Sequence, residues 1–487
     1  MTRLLPLMLL AACANDMAIG APTVDDGDTG APVDNVVQLF HLDVEPINND
    51  FAGEILLPQT FGPFVEGEGF ELRMVPAVRF SGAITAERLG PWLGALPTEA
   101  VQASGALSLV DEAGRVVSET RVDADAGFSL LTQPGTVTLV FSPEDPTLPA
   151  WEQALALLED TRLDLDLGLG HPLWGRVLDA DGVGVSEVGV YAQGAAGAVT
   201  ATTWTDAQGW YELRVGPGTW TPIVAGRTTR RDPVVLGDAL AIGDEGGRVD
   251  VQLAEARSVD LTARLVDLDD EPVVGVRVQI TATSLAGYAD GRASYQVEVL
   301  SDSRGYLDTR LPAGQYQVAV LPDATSPLAP VLQDGVNAFN NADLGVLMVA
   351  PLRAVTTTLL DPTGAPLASA PVACRELTPS PRTWTTTTSA DGAVLLTVPD
   401  GPARCDFSPP GARGDLARLL LDTSGLEFPT SVTLPTGEPV SGAVVFDPTG
   451  VPLPRALVSL RDEADAVRGQ HTTDEAGAFT LQVWWDE

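Results

Sequence analysis

The side chains able to do chemistry are few and scattered. Histidine occurs three times, at His41, His171 and His471. None has a partner at the spacing with which a helix or strand grips a metal ion. The chain has no His-Glu-x-x-His, no Cys-x-x-Cys, no Gly-x-Ser-x-Gly turn and no phosphate-binding loop. All 28 basic residues are arginine. A lysine nucleophile, a Schiff base and a Lys–Asn isopeptide cross-link are therefore ruled out. Carboxylates gather at Asp25-Asp26-Gly27-Asp28 and at Asp179–Gly182, but Asp179–Gly182 lacks the downstream ligands of an EF-hand loop. An Arg-Gly-Asp tripeptide at Arg413–Asp415 is expected to occur by chance in this composition. The reading is of a non-enzyme that needs no cofactor and no metal.

What remains is aromatic. The stretch from Thr203 reads TWTDAQGWYELRVGPGTW. A flat exposed ring stacks on a sugar, so Trp204, Trp210 and Tyr211 form the candidate carbohydrate-binding cluster. The competing reading packs Trp210 on a neighbouring strand or domain. Asp206 and Gly209 read as turn chemistry: a short acid that bonds its own backbone, and a residue free to take positive φ.

The elements that position these residues recur. A turn glycine of the same kind stands at Gly127, Gly209, Gly305, Gly392 and Gly477, about every 90 residues. An earlier turn precedes each, as in VDEAGRVV, LDADGVGV and FDPTGVPL, and in most copies a Pro-Gly-like turn follows. Between turns, residues alternate. Tyr211, Leu213 and Val215 share one phase, with Trp210, Glu212 and Arg214 on the other. Leu307, Thr309 and Leu311 repeat the pattern, as do Phe479, Leu481 and Val483. Period-2 alternation bounded by Gly, Pro and Asp predicts strands half-buried in a sandwich. Trp220 and Tyr316 fall on core positions and Trp210 on the outward phase.

The pattern Gly-x-Val-x-Asp, Gly-x-Pro-Val, Thr-Asp-x-x-Gly-x-Phe, Pro-Gly-x-Tyr resembles the carboxypeptidase regulatory-like domain. Its clearest copies carry Gly175, Asp179, Thr205, Asp206, Gly209 and Gly218, and Gly442, Asp447, Pro452, Thr473, Asp474 and Gly477. The resemblance spans residues 72–487 and implies an accessory module without catalytic residues. The expected architecture is all-β: a string of about five small Greek-key, transthyretin-like β-sandwiches. The expected boundaries are 172–258, 259–352 and 353–437 for three full repeats. Residues 37–171 form a degenerate first region, with an insertion near AERLGPWLGAL, and residues 438–487 form an incomplete last repeat. That last copy stops short of its final two strands. Either the chain continues beyond this sequence, or another chain supplies strands by β-augmentation.

The N-terminus gives an address. MTRLLPLMLLAAC has one arginine, a short apolar run and small residues before Cys13. It is too short to cross a bilayer as a helix. It resembles a bacterial lipobox, which implies a signal peptide over residues 1–12 and acylation (palmitate included) of Cys13. With Ala14 next, it also implies outer-membrane sorting, with the chain facing the periplasm or the cell exterior. The alternative is an ordinary signal peptide. Residues 13–36 read as the lipidated cysteine and a flexible acidic tether. Cys374 and Cys405 both lie on predicted strands of the fourth copy. In an oxidising compartment they pair as a structural disulfide or stay as two buried thiols.

Composition agrees with a turn-rich β protein: Gly 48 and Pro 38, with 45% hydrophobic residues. Sixty-six acids leave a net charge of −38, which repels nucleic acid and anionic lipid headgroups. The sequence therefore predicts a non-catalytic, lipid-anchored surface protein, a structural stalk or an adhesion and contact module. Its partners are the membrane through the anchor and polysaccharide or another surface protein, but not nucleic acid. The alternative is a polysaccharide-binding lipoprotein using the aromatics of the second repeat.

Overall fold

The computed structural model describes residues 39–484, apart from 48–49, 52–53, 65–68, 90–97, 124–126, 227–231, 256, 324–325, 378–380, 399–402, 412, 424–427, 448 and 464. Cys13 and the acidic tether lie outside the described residues. The fold is all-β, and every regular element among the described residues is a strand. The strands enclose five hydrophobic cores.

Repeats 3 and 4 show the plan. In repeat 3, Ser258–Val266 pairs antiparallel with Tyr306–Pro312 and parallel with Ala342–Met348. The facing sheet runs Gln296–Leu300, Arg277–Leu285, Gly314–Leu321, Val331–Ala338. Repeat 4 repeats this order around Arg353–Leu360 and Pro371–Glu376. Apolar residues at alternate positions fill the space between sheets: Leu261, Leu265, Leu307, Leu311 and Tyr316 are all buried. Tyr211, Leu213 and Val215 are buried in repeat 2, as is Trp220, whose Nε1 donates to the Gly216 carbonyl at 2.9 Å.

The Thr-Asp-x-x-Gly turn is a lock with three parts. Asp206 Oδ1 accepts the N–H groups of Gln208 and Trp210, and Gly209 takes φ 82°. The third part is the residue before the aspartate. Thr205 Oγ1 donates to Val185 O at 2.7 Å and accepts Val188 N–H at 3.0 Å. Ser301, Thr388 and Thr473 make the same two bonds in their repeats. Each fixes a loop residue with positive φ: Glu187, Gly275, Ser369 and Arg455, whose N–H groups donate to the carbonyls of Thr205, Ser301, Thr388 and Thr473. Asp179 caps the preceding turn in the same manner, accepting Asp181 N–H and Val183 N–H. Asp179–Gly182 is therefore held as a turn by its own backbone.

The fifth repeat corrects the expectation of an open half-sandwich. Phe479, Leu481 and Val483 are fully buried. The missing strands come from the other end of the same chain. Phe40–Pro46 pairs antiparallel with Ala456–Asp462, from Phe40 opposite Asp462 to Pro46 opposite Ala456. Gln59–Phe64 extends that sheet. Phe70–Met74 pairs parallel with Glu438–Phe446, in the position that Ala342–Met348 holds in repeat 3. One core unites Phe40, Leu42, Val44, Leu72 and Met74 with Val440, Val458, Leu460, Phe479 and Leu481. Residues 37–171 are accordingly not one unit. Strands from 40 to 74 belong to repeat 5, and Phe80, Leu107, Leu139 and Phe141 centre a separate core for repeat 1.

Neighbouring repeats are joined by more than a linker. Glu152 of repeat 1 accepts the N–H groups of Ala196 and Ala198 in repeat 2, each at 2.9 Å. A strand of repeat 2, Val234–Leu236, pairs with Ala293–Ser294 of repeat 3. Arg382 of repeat 4 donates to the carbonyls of Asp323, Ser326 and Leu328 in repeat 3 while ion-paired to the buried Glu376.

Candidate functional site

The outward face of repeat 2 is built on the strand His171–Leu178, in which Leu173, Gly175 and Val177 point inward. That leaves Trp174 and Arg176 on the outer side. The adjacent strand Trp210–Val215 lies antiparallel, with Trp210 opposite Arg176 and Glu212 opposite Trp174. On the other side, Gly247–Arg248 and Val251–Gln252 run parallel, interrupted at residues 249–250. There Asp250 takes the place of a backbone acceptor, its Oδ1 receiving Arg176 N–H at 2.9 Å. Gly175 permits this approach, because a Cβ there would sit 1.7 Å from the Val249 carbonyl oxygen. The interruption places Arg248 and Asp250 beside the tryptophans.

The resulting cluster is ordered by stacking and charge. The Trp174 and Trp210 rings have centroids 5.8 Å apart with planes inclined at 36°. The Arg248 guanidinium lies 5.2 Å from the Trp174 centroid and 5.1 Å from that of Trp210. Arg176 lies 5.4 Å from Trp210. Asp250 holds Arg248 through two bonds, of 3.1 and 2.7 Å. Those bonds keep the Asp250 carboxyl below its ordinary range, with the backbone N–H and charge of Arg176 adding to the effect. Arg176 is held by the Gln208 carbonyl through Nε and Nη2. Trp174 and Trp210 remain 36% and 37% exposed. Arginine over indole is attractive by about 0.5–1 kcal/mol at such exposed sites, which adds to the hydrogen bonds that hold the two arginines.

The predicted aromatic cluster is thus rearranged. Trp210 lies outward as expected. Tyr211 does not join it: the ring is buried, and its hydroxyl donates to Val249 O at 2.6 Å. Burial pushes its ionisation well above the ordinary range. Trp204 is exposed, but its strand pairs with Gly189–Gly194 in the opposite sheet. The outer faces of two packed sheets point apart, so Trp204 and Trp210 share no platform. Trp174, Arg176 and Arg248 take their places. The alternation of HPLWGRVL carried the first two. Nothing local signalled Arg248, because it arrives through a parallel pairing from a distant strand.

The remaining sequence candidates sit apart. Cys374 and Cys405 lie directly opposite each other on paired strands and form a disulfide, buried in the core of repeat 4. His41 and His471 flank Ala456–Asp462 at non-adjacent positions, and His171 lies in repeat 2. Among the described residues no three His, Cys, Asp or Glu side chains form a metal-holding group. Arg413 and Asp415 of the Arg-Gly-Asp tripeptide pair with each other through two bonds of 2.9 Å. Arg413 also donates to Asp361 at 2.8 Å, so the tripeptide is folded onto its own domain. A cleft between repeats 3 and 4 is lined by Arg277, Pro330, Glu376 and Arg382. Glu376 and the carbonyls of repeat 3 already occupy Arg382.

No family model and no curated protein matches the chain. Among solved structures, a streptococcal ancillary pilin aligns over 55% of this chain and 98% of its own, at 12% identity and TM-score 0.24. The Bacillus anthracis TIE protein aligns over 74% of each chain at 11% identity and TM-score 0.17. The minor pilin GBS52 of Streptococcus agalactiae aligns over 38% of this chain and 97% of its own, at 13% identity and TM-score 0.24. Alignments at these scores carry no argument about what this chain does.

Proposed function

We propose that the chain is a non-catalytic surface lipoprotein whose β-sandwiches act as a contact or adhesion module. The observation that carries this reading is the order of parts: a lipobox-like Leu10-Ala11-Ala12-Cys13, then a polar stretch, then β-sandwiches among the described residues. Acyl chains on Cys13 would hold the protein to the outer membrane, each buried CH₂ contributing about 0.8 kcal/mol. The contact-module half of the reading is favoured over an end-to-end stalk, since repeat 5 and the N-terminal strands are one sandwich. Substituting Cys13→Ala should release the protein from membranes and abolish labelling by palmitate. A variant that still pellets with membranes, alongside a parent that takes up no palmitate, would refute the anchor.

A second reading, polysaccharide binding, is favoured by one observation. Two half-exposed indole rings stand side by side on a sheet face. It is compatible with the first reading, since a contact module needs something to contact.

A further inference from the structure

We infer that the Trp174–Trp210 face of repeat 2 is a binding site for a carboxylated polysaccharide, one in which acidic sugars alternate with neutral ones. The inference rests on the second reading above and assigns its ligand class. Three observations lead to it.

The first is the pair of rings. Single exposed apolar residues are ordinary on a folded surface. Two adjacent indoles on a sheet face, partly exposed and flanked by the guanidinium groups of Arg248 and Arg176, offer aromatic surface of the kind that pyranose rings stack on.

The second is charge. The Arg248 guanidinium is paired with Asp250 through two bonds, whereas Arg176 reaches that carboxylate only through its backbone N–H. Arg214 is matched by Glu212. Arg176 makes no ion pair within 4 Å among the described residues; its side chain bonds only the Gln208 carbonyl. In a chain of net charge −38, this leaves one guanidinium beside the rings without a direct ion pair, with Asp206, which accepts Trp210 N–H, as the further carboxylate at that edge. Fields from the distant acids are damped over a Debye length of about 8 Å at physiological ionic strength, so the local balance governs what docks.

The third is preorganisation. Each guanidinium is fixed on one edge, Arg248 by Asp250 and Arg176 by Gln208, and lies near an indole ring. Arginine otherwise gives up much side-chain freedom on binding. Here those bonds already restrict both side chains. The Nη1 groups of both arginines remain as donors for a carboxylate, the geometry arginine serves well.

Together these features select the ligand. A neutral glycan would use the rings and leave the Arg176 guanidinium idle. A small anion would use the guanidinium and leave the rings idle. Nucleic acid offers stacking and charge, but it needs a basic groove tracking every phosphate, and this face has one arginine without a direct ion pair. A sugar acid between neutral sugars uses both parts.

The test is titration of the full chain, followed by tryptophan fluorescence and calorimetry. The probes are hyaluronan octasaccharide, which alternates a uronate with a neutral hexosamine, and the same octasaccharide with its carboxyls reduced. The acidic probe should bind about tenfold or more tightly than the reduced one, as one charge-assisted contact is worth. Trp174→Ala and Trp210→Ala should each weaken binding of the acidic probe about tenfold or more, the size of one lost stacking contact. Arg176→Gln, a surface change that leaves both rings in place, should weaken the acidic probe and leave the reduced probe unchanged. Equal binding of the two probes, lost in the tryptophan variants, would overturn the acidic assignment and keep the polysaccharide reading. No binding of either probe at millimolar concentration, or binding indifferent to both tryptophans, would overturn both. Tighter binding of single-stranded DNA than of the acidic probe would also overturn the inference.

Discussion

At the residue scale, the most informative side chain is one that the sequence reading names only as part of a motif, Thr205. Asp206 and Gly209 are legible as turn residues from their types alone. Thr205 is not, because its role depends on a loop some twenty residues earlier coming to meet it. Its hydroxyl is buried and makes both of its bonds to that loop. Replacing it with valine keeps the volume and removes both bonds, leaving Val188 N–H buried without its acceptor. An unsatisfied buried donor costs about 1–3 kcal/mol, so Thr205→Val should lower the stability of repeat 2 by that amount. The exposed Thr219→Val should stay within about 0.5 kcal/mol of the parent. Chemical denaturation of the two variants measures the difference. A Thr205→Val protein as stable as the Thr219→Val control would mean that the loop, and not the hydroxyl, holds the turn. The aromatic cluster shows the same boundary of legibility. Alternation places Trp210 outward and Tyr211 on the opposite phase, and only adjacency groups Tyr211 with the sugar-binding residues. In a strand, adjacency in sequence means opposite faces.

At the element scale, strands and their inward faces could be read from period-2 alternation and turn residues. The partner of each strand could not. Antiparallel neighbours joined by tight turns follow from chain order, whereas in repeats 3 and 4 the last strand pairs in parallel with the first, across the whole domain, and in repeat 5 Phe70–Met74 takes that place. Parallel pairing needs a long connection and leaves no local signature. The disulfide of repeat 4 is the covalent counterpart of such long-range pairing. It ties Pro371–Glu376 to Ala403–Phe407 at Cys374 and Cys405, which face each other in register. Closing that loop is worth about 3–4 kcal/mol in the chain-entropy model. The double variant Cys374→Ala, Cys405→Ala should therefore lose about that much stability in repeat 4 and nothing in repeat 3, which has its own core. Amide hydrogen exchange resolved by repeat would show it. Unchanged protection in Pro371–Glu376 would show that the ladder holds without the bridge. Repeats 2, 3 and 5 do hold without one, as their cores contain no cysteine.

At the scale of the whole molecule, the chain path closes on itself. The alternation of FHLDVEP at Phe40–Pro46 marks a strand with Phe40, Leu42 and Val44 inward. What it cannot mark is that its partner stands at the far end of the chain. Register along a strand is set by the buried face, but the choice of partner is a tertiary matter. The consequence is a sandwich that cannot form until both ends of the chain are present, since its core mixes side chains from each. This predicts a long-range effect of a local change. Leu42→Asp places a charge in the core between Phe40–Pro46 and Ala456–Asp462, where Leu42 faces Leu460. Burying an unpaired carboxylate costs several kcal/mol. The N-terminal strands should detach and leave Phe479, Leu481 and Val483 in water beside an open edge, a setting that promotes aggregation. Hydrogen exchange should then accelerate in Glu438–Phe446, Ala456–Asp462 and Ala478–Val483. The strands of repeat 3, around Leu261 and Tyr316, should keep their protection. Leu460→Asp, at the other end of the chain, should give the same pattern, because both substitutions break one interface. If Leu42→Asp leaves Ala456–Asp462 as protected as in the parent, residues 40–74 are not part of that sandwich in solution. The fifth repeat would then have to be stable on its own strands.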